Sequence, residues 1–148
     1  MLFVYACPAA AVAGVNQRVS DLDDYKNEFE VDVFSPEGVT ALSEASKRDL
    51  ANLAGIAKSL NGYMIEISGY AAHYKFTTEE DQKLSEERAA VVARYFLEIQ
   101  DIPMRRMLVP VGYGATRPVA SNQTAQGRDL NRHVDVKVLV NGGARPGM

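Results

Sequence analysis

The sequence holds one cysteine, Cys7, which excludes an intrachain disulfide and a CxxC zinc site. Its two histidines, His73 and His133, form neither an HExxH nor an HxxxH pair. Positive charge is in deficit. Sixteen Lys and Arg against 19 Asp and Glu leave a net charge of −3, so a polycation that coats nucleic acid is excluded. There is no GxSxG or P-loop, and no carboxylate pair stands at a spacing that marks a hydrolase. The expected protein is therefore not an enzyme, and no pattern calls for a metal or a cofactor. Residues 1–14 (MLFVYACPAAAVAG) are too short to cross a bilayer as a helix.

What is present is ordinary globular composition. Apolar residues make up 47% and charged residues 24% of 148, enough to bury a core without cross-links. The charge is uneven. Residues 1–72 carry 5 basic and 10 acidic residues, whereas residues 73–148 carry 11 and 9. An anionic ligand group is more readily placed in the second half. Three readings fit the apolar start. It is the clipped or misassigned beginning of a longer chain, which is preferred. It is a worn signal peptide ending at Ala11-Val12-Ala13, without the charged first region. Or it is a lipoprotein box with lipid on Cys7, in which Tyr5 is bulkier than usual.

The periodicities predict one domain over residues 29–141. It is preceded by a truncated signal-like or linker and helical arm (1–28) and followed by a disordered tail (142–148). FEVDVF at 29–34 alternates as a strand. Ser43 caps a helix over 43–60 whose apolar side is Leu50, Leu53, Ala57 and Leu60, and Asn61-Gly62 stops it through left-handed backbone. Residues 63–69 form a second strand. Thr78, with Asp81 three residues on, caps a second helix over 79–99. Residues 107–111 form a third strand, 115–130 a long polar loop, and 133–140 a strand with a valine stripe. His133 is expected to be half-exposed, facing away from that stripe. The order β-α-β-α-β-β predicts an α+β fold, a small mixed sheet with helices packed on one face.

Four blocks fall in one order: the strand ending Gly69-Tyr70, LSEERA at 84–89, GYG at 112–114 and GRDLNRHVDV at 127–136. Together they resemble the OmpA-like (OmpA/MotB/Pal) peptidoglycan-binding domain of bacterial envelope proteins over residues 29–141. The resemblance implies non-covalent binding of the peptidoglycan stem peptide, gripped at the free end of diaminopimelate, in the periplasm or at the outer membrane. It leaves room for an outer-membrane or envelope protein partner and for a homodimer. The family's arginines fall on Arg88 and Arg132. A guanidinium suits a carboxylate because it donates two parallel hydrogen bonds. Arg88 is expected in the early turns of its helix, where the helix dipole also favours an anion. Arg88 has a second reading as a salt-bridge partner of Glu80, Asp81 or Glu86, and Arg132 as a brace to Asp129 or Asp135.

The departures lie at the other half of the ligand. In the family, the strand runs into Gly-x-Thr-Asp, whose aspartate meets the ligand ammonium; here the tetrad is Gly69-Tyr70-Ala71-Ala72. The family glycine three residues later is missing, the loop is one residue longer, the asparagine before LS is Asp81, and the second arginine of NRRV is His133. Either Asp81, with Glu79 and Glu80 behind it, supplies the carboxylate, or the ligand lacks that ammonium, or the domain has become a scaffold without wall binding. Tyr70, Tyr74 and Phe76 are candidate pocket walls, with plain packing preferred for Phe76.

Overall fold

The computed structural model describes the backbone of residues 25–141, with side chains over 29–140. The expectations for the apolar start and the tail lie outside them. β1 (Tyr25–Phe34) starts four residues before the expected strand, in the polar stretch assigned to the arm. Its backbone there pairs with the end of the last strand, Tyr25 opposite Asn141 and Lys26 opposite Val140, past an irregularity between Asn27 and Phe29. A ladder uses main-chain donors and acceptors, so side-chain polarity does not report it.

α1 (Glu44–Lys58) starts where Ser43 Oγ accepts the Ser46 N–H at 3.1 Å, and it buries Leu50, Leu53, Ala54 and Ala57. It does not end on left-handed backbone at Asn61-Gly62. The Ser59 N–H closes on the Ile56 carbonyl at 3.1 Å, a tightened last turn, and neither Asn61 nor Gly62 has a positive φ. β2 (Tyr63–Gly69) follows. α2 (Thr78–Glu98) is capped one residue earlier than expected: Thr77 Oγ1 accepts the Glu80 N–H at 3.1 Å, and the Glu80 carboxylate accepts the Thr77 N–H at 2.8 Å. This reciprocal box satisfies two of the helix's orphan donors.

The third strand shrinks to β3 (Val111–Gly112). Met107 makes one bridge to Ile65 and the Leu108 N–H donates to Ile65 at 2.9 Å, but Pro110 has no N–H with which to carry the ladder on. The long polar loop contains α3 (Ala125–Asn131), capped by Thr124 Oγ1 accepting the Gly127 N–H at 2.9 Å. Seven residues with little apolar periodicity give no helical signature. β4 (His133–Asn141) then runs through the sheet centre, antiparallel to β1 and β2, while β2 and β3 are parallel, in the order β1-β4-β2-β3.

Val134, Val136 and Val138 face the helices with Val33, Ile65 and Ile67. Leu50, Leu53, Val92 and Phe96 meet them from α1 and α2. The fold is the expected α+β arrangement, with the helices on one face of a small mixed sheet. No helix among the described residues is long and apolar enough to cross a membrane.

Candidate functional site

The C-terminal end of β2 is pressed directly onto α2. A Cβ on Gly69 would lie 2.1 Å from the Ser85 carbonyl oxygen, and one on Gly112 would lie 2.5 Å from the Glu86 nitrogen. Glycine at both places lets sheet and helix backbones touch. The Ser85 hydroxyl then accepts the Gly114 N–H at 2.8 Å. The strand-end glycine, the serine of LSEERA and the GYG turn are thus one packing joint, and it sets where the next turn of α2 projects.

That turn carries Arg88, eleventh of the 21 residues of α2, so it lies mid-helix and not in the early turns. Its side chain is 1% exposed. Nε donates to Val39 O at 2.9 Å, Nη1 to Tyr70 O at 3.2 Å and Nη2 to Pro36 O at 3.0 Å. Among the described residues no carboxylate bonds it, so the helix salt-bridge reading does not describe it. Three of its five N–H donors hold the protein's own carbonyls, so its hydrogen-bond partners are all neutral dipoles. Burial, and behind it the charge of Arg132, pulls its pKa down to about 10, with Asp81 acting against the shift. It stays charged at neutral pH.

Asp81, two turns earlier on the same face of α2, is also 1% exposed. Its Oδ2 lies 2.8 Å from His73 Nδ1, while Oδ1 is buried with no hydrogen-bond partner. A buried carboxylate oxygen left unpaired is costly. Arg88, but not Asp81, is in the wall of a hollow that Ala71, Ala72, Tyr74, Phe76, Leu84, Arg132 and Glu37 complete. Its free space is about 10 Å³, the room of one water. Glu79 and Glu80 are exposed in the first turn, and Glu80 is spent on the cap.

Arg132 is braced in the second way read from the sequence. Nη2 bonds Asp129, and Nε donates to Ser35 O at 3.1 Å. Asn131, 2% exposed, organises the loop before it. Its Oδ1 accepts the Val119 and Ala120 N–H groups at 2.8 and 2.9 Å, and its Nδ2 donates to Asn122 Oδ1 at 2.8 Å. Tyr70 does not wall the hollow. Its ring stacks between His133 at 4.6 Å and Tyr113 at 5.4 Å, with Arg117 over the Tyr113 ring at 3.9 Å. His133 is accordingly buried, not half-exposed, because Phe34 and Tyr70 flank it. Phe76 does line the hollow. Glu37, Leu84 and Arg128 were not singled out in the sequence; Glu37 and Leu84 reach the hollow through the loop after β1 and the face of α2. A run of polar loop residues carries no signal for such a meeting.

The structure thus defines a small α+β domain with a buried arginine in the wall of a small hollow at the end of its sheet and a buried aspartate two turns away on the same helix. The OmpA family profile matches residues 34–132, and the chain belongs to that family. It is 36% identical over 97 residues to outer membrane porin F of Pseudomonas aeruginosa, which covers 66% of this chain and 27% of that protein. The chain therefore spans less than a third of that relative's length. Its fold is similar to the peptidoglycan-associated lipoprotein of Burkholderia pseudomallei, with TM-score 0.66 and 23% identity over 72% of this chain and 88% of that one. It is also similar to the cell wall anchor of the T6SS from Pseudomonas aeruginosa, with TM-score 0.62 and 20% identity over 88% and 97%.

Proposed function

We propose that this is a non-catalytic peptidoglycan-binding domain that anchors an envelope protein to the cell wall, in the periplasm or against the outer membrane. Family membership supports the wall-binding role, and the names of similar proteins point the same way: a peptidoglycan-associated lipoprotein and a cell wall anchor. The observation that carries the finer reading is the incomplete satisfaction of two buried opposite charges. Arg88 has two N–H donors without an acceptor among the described residues, and Asp81 Oδ1 has no donor. A diaminopimelate end offers a carboxylate to the first and an ammonium to the second. Asp81 then does what the family aspartate does, from the helix in place of the strand end where Ala72 stands. Ala71, Ala72 and Tyr74 enclose the aliphatic part, and Arg132 adds positive potential at the rim.

A second reading is a scaffold domain without wall binding, which the closed hollow and Ala72 favour. Retention on purified peptidoglycan sacculi separates the two. The wild-type protein should be retained at low salt and released as salt rises. Asp81→Asn should weaken retention roughly thirtyfold or more, the cost of unpairing a buried charge, and Glu44→Gln on α1 should leave it unchanged. Restoring Ala72→Asp should strengthen it. Wild-type protein that washes through at low salt would establish the scaffold reading.

A further inference from the structure

The hollow beside Arg88 is roofed by a strap between two fixed posts. Before it, the Tyr70 N–H donates to His133 O at 2.8 Å and the Ala71 N–H to Gly114 O at 2.9 Å. After it, Thr77 is held in the capping box of α2. Among the described residues, no backbone-to-backbone hydrogen bond fastens residues 72–76. Side chains alone hold the strap down.

His73, 56% exposed at its side chain, reaches Asp81 Oδ2 through Nδ1 at 2.8 Å, and its backbone N–H donates to Asn122 Oδ1 at 3.3 Å. Tyr74, 53% exposed, lies under the Arg128 guanidinium, 3.8 Å from Cζ to the ring centroid. Arg128 is in turn aimed by its bond to Asn122 O at 2.9 Å. Lys75 adds a loose ion pair to Glu37 at 4.0 Å. His73 and Tyr74 already face solvent, so water can take over their side of each contact as the strap lifts, whereas the posts are tied into sheet and helix. Beneath the strap, Ala71 and Ala72 are buried, and the space left is too small for any ligand larger than water.

We propose that residues 73–76 form a lid over the Arg88 hollow, closed in this structure, latched to α2 by His73 and to α3 by Tyr74 under Arg128, and that its opening admits the acid-bearing amino-acid end of a ligand. What enters rests on the wall-binding reading; the lid itself does not.

The test needs no ligand. In the full chain with alanine methyls labelled for NMR, a small neutral gadolinium chelate in solution broadens each methyl more the closer the chelate can approach it. Broadening at Ala71 and Ala72 should rise at least about threefold in Arg128→Ala and in His73→Ala, while the core methyls of Ala57 and Ala89 stay unaffected. The two variants release different latches, so damage to α3 alone does not mimic the result. Ala71 and Ala72 remaining as protected as Ala89 in both variants would overturn the lid, as would equal broadening at all four methyls. Sacculus retention measured beside it is read separately. Loss of retention by the wild-type protein removes the wall-binding reading and leaves the methyl result standing.

Discussion

Arg88 combines two duties that a single substitution cannot separate without a control. Its guanidinium ties the loop after β1 (Pro36 and Val39) to the end of β2 (Tyr70), so removing it takes the donor from three carbonyls at once. Arg88→Ala is expected to cost about 3 kcal/mol or more of stability, since hydrogen bonds from charged donors are worth about 1.5–3 kcal/mol each and are not additive. Urea denaturation measures it, and a loss under 1 kcal/mol would mean the loop finds other donors. Arg88→Lys keeps the charge and one or two of the bonds, so it should fold and still lose wall retention. Asp135 tells a different story. It sits on the sheet face away from the helices, directly opposite Asp32. Burial, then a bond to Glu30 and the charges of Glu30 and Asp32, push its pKa up to about 7, against Lys137 at 3.6 Å. The folded state therefore keeps a proton that the unfolded chain gives up nearer pH 4. The stability this proton supplies is complete below that point and is lost as pH rises through about 7. Solvent at the cluster screens the effect to the order of 1 kcal/mol. The wild-type melting temperature should fall from pH 5 to pH 8, and Asp135→Asn should flatten the fall. Parallel profiles for the two proteins would reject this account.

The elements differ in how openly the residues announce them. α1, β2, α2 and β4 each carry apolar periodicity over seven or more residues, and each falls within a few residues of its expectation. β3 and α3 do not. β3 is held by two residue pairs beside β2, with a proline just ahead of it, and α3 is a single short helix among polar residues. Both are placed by what they pack against. A Cβ on Gly127 would fall 1.9 Å from the Ser121 carbonyl oxygen, so α3 can only sit where it does because that residue is glycine. Gly127→Ala should shift α3, loosen the Asn131 bonds to the preceding loop and cost about 1–3 kcal/mol, the range for overpacking. Thr77→Ala should cost about 1 kcal/mol by removing the cap of α2, with no change in the loop before α3. Thermal melts of the two variants, read with the amide NMR signals of Val119 and Ala120, distinguish the effects. Undisturbed signals in Gly127→Ala would show that α3 tolerates the methyl group. The exposed edge strand β1 carries Glu30 and Asp32, charges that discourage edge-to-edge pairing with another chain.

At the scale of the whole molecule, alternation and helical spacing predicted the layers, because burying one face of each element leaves few arrangements for four strands and two long helices. The four sequence blocks identified the family, and the packing joint at Gly69, Ser85 and Gly112 is the physical content of three of them. The residue types at the site were also legible, since Arg88, Arg132 and Asp81 stood out by position. Their states were not. That Arg88 is bonded to three carbonyls, that Asp81 has one oxygen bound to His73 and one bare, and that a strap lies over the hollow depend on partners as far as 52 positions apart or on loops without periodicity. Local pattern in a sequence records which side of an element is buried. Hydrogen-bond partners across the fold are chosen only once the backbone has closed and each polar group must find an acceptor or donor within about 3 Å.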